Sequence, residues 1–364
     1  MSLVADTLAP ATRTDWLRRP APLTVLLLLG VCALLSVLPA VAVGAVSISP
    51  LQAIGILLDA CGISTGVVYA PDQAAVLLAV RLPRVLLGVI VGGTLGMCGS
   101  ALQALFRNPL ADPGVLGVSS GAALGACLAV VIGFSGLGLA LPAAFEPYAI
   151  SIAAFLGALV VTGLIALMAR TRAGITTVLL VGIAISALAG AATGVLTFVA
   201  TDEQLRSITF WSLGSLAGAT WQSLSGALPF ILPALLLLPF TARSLDALAL
   251  GEREAEHLGV RVARVRRIVI VLSALAVGAA VAATGGIGFI ALVAPHLVRM
   301  LAGPRARTTM IGGALLGATL LVLADLTART VVAPAELPIG VVTAIIGTPV
   351  FLWLVLRTRE GMGR

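Results

Sequence analysis

Two histidines, four cysteines and one carboxylate set inside an apolar run are the groups with which the interior of this chain could do chemistry, and their spacing supports none. His257 and His296 stand far apart and cannot serve serines buried in apolar runs, so a serine hydrolase is not indicated. The clustered ligands that an intramembrane metalloprotease needs are missing too. Cys32, Cys98 and Cys127 fall within apolar runs and Cys61 stands in a loop. No paired spacing points to a disulfide or a zinc site, and they read as small buried hydrophobes. Asp325 lies near one end of its run, whereas proton- and sodium-coupled transporters keep acids or histidines within their spans. All 22 basic residues are arginine. Without lysine there is no phosphate-binding loop of Walker type and no Schiff base. A chain of this kind that uses ATP needs another chain to hydrolyse it.

The elements that must position these residues are membrane spans. Hydrophobic residues make up 60% of the 364, charged residues 10%, and the mean hydropathy is +1.15. The apolar runs are too many and too long for one signal peptide. Ten runs approach the 20 or so residues that cross a bilayer: 21–45, 82–106, 114–133, 148–169, 176–200, 223–242, 266–283, 286–301, 309–328 and 339–356. Residues 1–20 and 357–364 are left as tails, with 21–356 as one membrane domain.

Arginine placement orients the runs, because basic residues concentrate on the cytoplasmic side. With the N-terminus inside, 18 of the 22 arginines are cytoplasmic. The four left outside are Arg81, Arg84, Arg206 and Arg329. Two of them flank the proline of RLPR at 81–84, at the mouth of the second run. Arginines on that side read as a docking surface for an acidic partner.

Small residues four apart, as in Gly88, Gly92 and Gly96, Gly117, Gly121 and Gly125, and Gly190 and Gly194, let helices approach closely in lipid. NPLADPG at 108–114, TGGIGF at 284–289, APH at 294–296 and APAELPIG at 333–340 should interrupt regular helix. At membrane depth such backbone survives only under protein cover or along a water-filled cavity, which favours a transport path. RLPR at 81–84 and RVRR at 264–267, each before a glycine-rich span, hint at an inverted repeat. The one long charged connection, 243–267, reads as two short helices, one capped by Ser244 and ending at Gly251, the other from Glu252 to Gly259. Such a pair could dock on a cytoplasmic protein.

RLPR, QALFRNPLADPGVLGVSSGAALGA at 103–126, FWSLGSLAGATW at 210–221, ALGEREAEHLG at 249–259, GGIGFIALVAPHLVR at 285–299 and AELPIGVVTAIIGTPVF at 335–351 occur in this order. From about residue 75 onward the chain resembles the membrane subunit of ATP-driven importers for vitamin B12, iron-siderophores and haem. FWSLGSLAGATW and NPLADPG with VSSGAA are most similar to the haem branch.

The resemblance implies an all-α polytopic protein with ten transmembrane helices per subunit, the inverted-repeat type II ABC importer permease fold, in the bacterial inner membrane with both termini cytoplasmic. It implies a homodimer surrounded by membrane lipid, two ATP-binding cassette subunits carrying ATP and Mg, and a periplasmic substrate-binding protein. It implies no cofactor, catalytic residue, metal or nucleic acid for this chain, and haem as the cargo. Docking falls to Arg81, Arg84 and Arg329, and Arg206 has no counterpart. The cytoplasmic gate falls to Asn108 and Leu110 with Thr176 and Thr177. ATPase coupling falls to Leu250, Gly251, Glu252, Arg253, Glu254, Ala255, Glu256, His257, Leu258 and Gly259. The alternatives are the same role for a ferric siderophore or vitamin B12, an ion-coupled secondary transporter, and a membrane scaffold or receptor.

Overall fold

A computed structural model describes residues 20–44, 46–136, 142–168 and 175–362. Its α-helices in chain order are α1 (Pro22–Ala42), α2 (Pro50–Ala60), α3 (Pro71–Val76), α4 (Leu82–Phe106), α5 (Val118–Val131), α6 (Gly133–Gly136), α7 (Ala149–Met168) and α8 (Ile175–Val199). They continue with α9 (Asp202–Leu213), α10 (Trp221–Leu237), α11 (Ala242–Leu250), α12 (Glu252–His257), α13 (Val262–Thr284), α14 (Ile290–Ala302), α15 (Ala306–Thr330) and α16 (Ile339–Met362). The described residues contain no strand. Residues 1–19, which make up nearly all of the expected N-terminal tail, lie outside them. The expected C-terminal tail begins as a continuation of α16.

Each of the ten expected runs coincides with a helix, and seven helical stretches are long and apolar enough to cross a membrane. The other three, α5, α14 and the apolar part of α16, are shorter. At about 1.5 Å per residue, the 14 residues of α5 and the 13 of α14 fall well short of a hydrocarbon core. The sequence reading missed α2, α3 and α9, which lie between the expected runs.

The helix α4 sits at the centre and packs most extensively on α15. A Cβ added at Gly92 or Gly96 would fall on the backbone of Gly317 or Gly313 across that contact. The same device joins α5 to α7, where Gly121 and Gly125 face Gly157 and Ala153. Lipid gives helices no hydrophobic drive toward one another, so this closeness is what holds the pairs together. Gly190 and Gly194 on α8 behave differently: a Cβ added at either would meet no neighbouring element among the described residues. Their helix also exposes Leu180, Ile183, Leu188, Val195 and Phe198.

Two expected interruptions meet in one knot of irregular backbone. Ser215 donates its N–H to Thr284 at 2.7 Å, and Ile339 donates to Gly214 at 3.0 Å. These bonds tie the segment after α9, the α13–α14 turn and the start of α16 together, so protein covers the open backbone. Phe289 there has φ 66, an unusual value for a non-glycine residue. The third, APH, does not interrupt: α14 runs straight through Pro295. Proline withdraws the donor that Ala291 would receive one turn back. The Gln103 side-chain amide of α4 donates to that carbonyl instead, at 3.3 Å, while Arg299 donates to Gln103 Oε1.

Candidate functional site

The two ends of the bundle carry the candidate residues. At one end, RLPR forms the join between α3 and α4. Pro83 has no N–H for the carbonyl of residue 79, and the backbone widens into a π turn over Leu77–Arg81, in which Leu82 reaches back to Leu77. The turn brings Arg81 and Arg84 inward, not out to solvent.

Arg81 is 4% and Arg84 8% exposed. Arg81 donates to the carbonyls of Val41 and Ala42 at 2.9 and 2.7 Å, and also to Val46. Arg329 donates to Ala40. These are acceptors of the last turn of α1 and the loop beyond it. A helix C-terminus leaves such carbonyls without partners and carries partial negative charge, so two guanidiniums cap it well. Arg84 takes the carboxylates. Its Nε and Nη2 bond Asp325 at 2.8–3.1 Å, and its Nη1 and Nη2 each bond Glu336 at 2.9 Å. Arg329 adds a looser contact, 3.7 Å from Asp325. The Arg84 hydrogen bond holds the Glu336 carboxyl below its ordinary value of 4.5.

The expectation of an exposed arginine face is therefore corrected: Arg81, Arg84 and Arg329 are turned inward and bonded within the chain, although the buried Arg329 Nε has no hydrogen-bond partner among the described residues. The fourth outlier, Arg206, is exposed on α9. The reason is energetic. A buried guanidinium needs paired charge and bonded donors, and a helix end with two acids beside it supplies both. The sequence reading treated Asp325 only as an unlikely ion-coupling group and overlooked Glu336. The available signal was two acids on the same side as three unexplained arginines.

At the opposite end lie the gate and coupling segments, next to the start of α15. Arg107 ends α4 in the left-handed region, φ 49. Asn108 Oδ1 then accepts from Leu110 N–H at 2.9 Å, closing a tight turn that leaves the Leu110 side chain 50% exposed. Thr177 is exposed in the first turn of α8, and the Thr176 side chain lies outside the described ones. No bond brings the two gate elements together among the described residues.

The charged connection forms two short helices as expected, but α11 starts at Ala242, so Ser244 lies inside it and is not its cap. Gly251 joins them at φ 138, a value that favours glycine. Leu245, Leu248 and Ala255 are buried, anchoring the pair, while Leu250 and Leu258 are 69% and 65% exposed. Glu252 pairs with Arg266 at 2.7 Å, and Asp246 accepts from Ala306 N–H at 2.8 Å, holding α11 against the start of α15. Arg253, Glu254, Glu256, His257 and Gly259 are exposed beside them.

A cavity of about 480 Å³ lies among α7, α10 and α13, lined chiefly by apolar side chains, with Tyr148, Ser151, Gln222 and Ser223 as polar members. Phe155 and Phe230, rings 4.6 Å apart, bridge two of its walls. Tyr69 instead donates to Asp59 at 2.7 Å, which raises its pKa, and Met97 is buried.

The FecCD transport family model matches residues 28–357. The hemin transport system permease protein HmuU of Yersinia pestis is 50% identical over 284 residues, 78% of this chain and 84% of that protein. The vitamin B12 import system permease protein BtuC of Escherichia coli O9:H4 (strain HS) is 37% identical over 317 residues, 86% of this chain and 94% of that protein. Among solved structures, an inward-facing metal-chelate type ABC transporter superposes with a TM-score of 0.78 at 32% identity, covering 92% of this chain and 99% of that one. The glycine-packed helices, the protein-covered knot of irregular backbone and this match over nearly the whole length agree: the chain belongs to the FecCD transport family, as a membrane-spanning permease.

Proposed function

We propose that this chain is the permease subunit of an ATP-driven importer that moves haem across the bacterial inner membrane by alternating access. The observation that carries the cargo is the 50% identity to a hemin permease against 37% to a vitamin B12 permease. Two copies pair through the exposed, glycine-bearing face of α8, where Leu188, Val195 and Phe198 stand open among the described residues. The exposed Leu250 and Leu258, with the charged residues of α12 around them, engage the ATPase subunit. Leu110 with Thr177 forms the cytoplasmic gate, the Asn108 turn fixing where Leu110 points. The arginine cluster receives an acidic, substrate-loaded binding protein on the periplasmic side, with Arg84 as its main contact.

The test is transport by the purified complex in liposomes. Haem should enter only when the partner ATPase, ATP and the loaded binding protein are all present. Equal uptake without nucleotide would sink the reading. Efficient uptake of a ferric siderophore or vitamin B12 in place of haem would reassign the cargo and leave the importer role intact.

A further inference from the structure

Arg84 is the arginine a docking partner would need, and it is already occupied. Four of its five N–H groups are committed to two carboxylates of the same chain. The two acids are not equivalent. Asp325 is rigidly placed on α15 with its side chain 3% exposed, whereas Glu336 sits in the loop before α16 with its side chain 39% exposed. Glu336 covers the open edge of the guanidinium, the edge carrying Nη1 and Nη2.

We propose that Glu336 is a resident stand-in for a partner's carboxylate. Docking at Arg84 then proceeds by carboxylate exchange and not by addition to a free arginine. This rests on the docking reading above and adds its mechanism. A guanidinium edge accepts any carboxylate presented in its plane, so an incoming Asp or Glu can reproduce the two bonds that Glu336 makes. The backbone around Glu336 need not move for this. Leu337 donates to Ala328 at 2.9 Å and Ile339 to Gly214 at 3.0 Å, so the loop stays pinned while the side chain rotates into solvent.

Charge favours the same partner chemistry. Arg84 and Arg329 lie against Asp325 and Glu336, and Arg81 stands close enough to Arg329 to add its charge, three positive groups in a cluster with two negative. When Glu336 swings away, the excess positive charge at the opened edge grows by one, and an acidic protein side chain is what it selects.

The experiment compares wild type, Glu336→Gln and Arg84→Gln in the assembled transporter. It measures association of the periplasmic haem-binding protein proposed above, at low ionic strength. If Glu336 occupies Arg84 for nine-tenths of the time, removing its charge should tighten binding by about tenfold, the reciprocal of the free fraction. Arg84→Gln should weaken it. If Arg84→Gln leaves association unchanged, the docking reading itself falls, and exchange with it. If Arg84→Gln weakens association while Glu336→Gln fails to strengthen it, docking stands and exchange is overturned. Should Glu336→Gln reduce the yield of folded transporter, Glu336→Asp, one methylene shorter, is compared in its place. A gain in association there supports exchange, and no gain in a folded sample overturns it.

Discussion

Arg84 and Asp325, 241 positions apart in sequence, share three hydrogen bonds of 2.8–3.1 Å in a site with almost no solvent. They join the first turn of α4 to the last turns of α15, the helix pair whose glycines bring the backbones into contact. Removing Asp325 leaves Arg84 with only the partly exposed Glu336 and takes the carboxylate from beside Arg329. Asp325→Asn should therefore lower stability, by less than the roughly 3–5 kcal/mol of a fully uncompensated buried charge. The double change Arg84→Met with Asp325→Leu should recover most of that loss, since a packed apolar pair can replace a buried ion pair at little cost. Thermal unfolding of the single and double variants in detergent checks it. A single variant as stable as wild type would contradict the assignment.

Glu336 gives the cluster a pH dependence with a definite sign. Its folded pKa lies below the ordinary 4.5 because Arg84 bonds the charged form. A carboxylate depressed in this way stabilises the fold above its unfolded pKa and loses that contribution as pH falls through the lower, folded value. Wild type should exceed Glu336→Gln in melting temperature at neutral pH, and the gap should narrow as pH falls below the ordinary 4.5. The effect is modest because the side chain is partly exposed. A gap that widens in acid would reverse the assigned direction.

The spans and their close-packing glycines were legible because each is a local pattern: a run of apolar residues, or small residues four apart. The motif series carried the family for the same reason. The fate of Arg81 and Arg84 was not legible, since their partners Val41, Ala42, Asp325 and Glu336 are distant in sequence. The rule that sorts arginines by side is silent on whether a given one faces water or a helix end. Pro295 failed as an interruption signal for a related reason. The group that replaces its missing donor, Gln103, belongs to another helix.

That replacement can be tested as a pair. Gln103→Leu leaves the Ala291 carbonyl without a donor and removes the acceptor of Arg299, and should cost about 1–3 kcal/mol. Pro295→Ala restores an N–H one turn beyond Ala291. Combined with Gln103→Leu it should cost less than the single change by a measurable coupling, about 0.5–3 kcal/mol for groups in one network. Strict additivity in the unfolding temperatures would show that the amide does not stand in for the proline's missing donor.

The coupling helices separate fold from function most cleanly. Leu250 and Leu258 are among the more exposed leucines of the chain, yet they flank α12 at positions held by the buried Leu248 and Ala255. Exposed apolar side chains on an anchored scaffold are what a partner's cleft would bury. Leu250→Asp with Leu258→Asp should leave the stability of the isolated permease within about 0.5 kcal/mol of wild type, as expected for surface positions. The same variant should lose co-purification of the ATPase subunit and its transport-coupled ATP hydrolysis. By contrast Glu252→Ala, which breaks a partly buried pair with Arg266, should lower the stability of the isolated permease and leave co-purification of the ATPase intact. If the double variant retains the ATPase, the contact lies on another face. If it unfolds, the two leucines support the fold, and the coupling role passes to the charged residues between them.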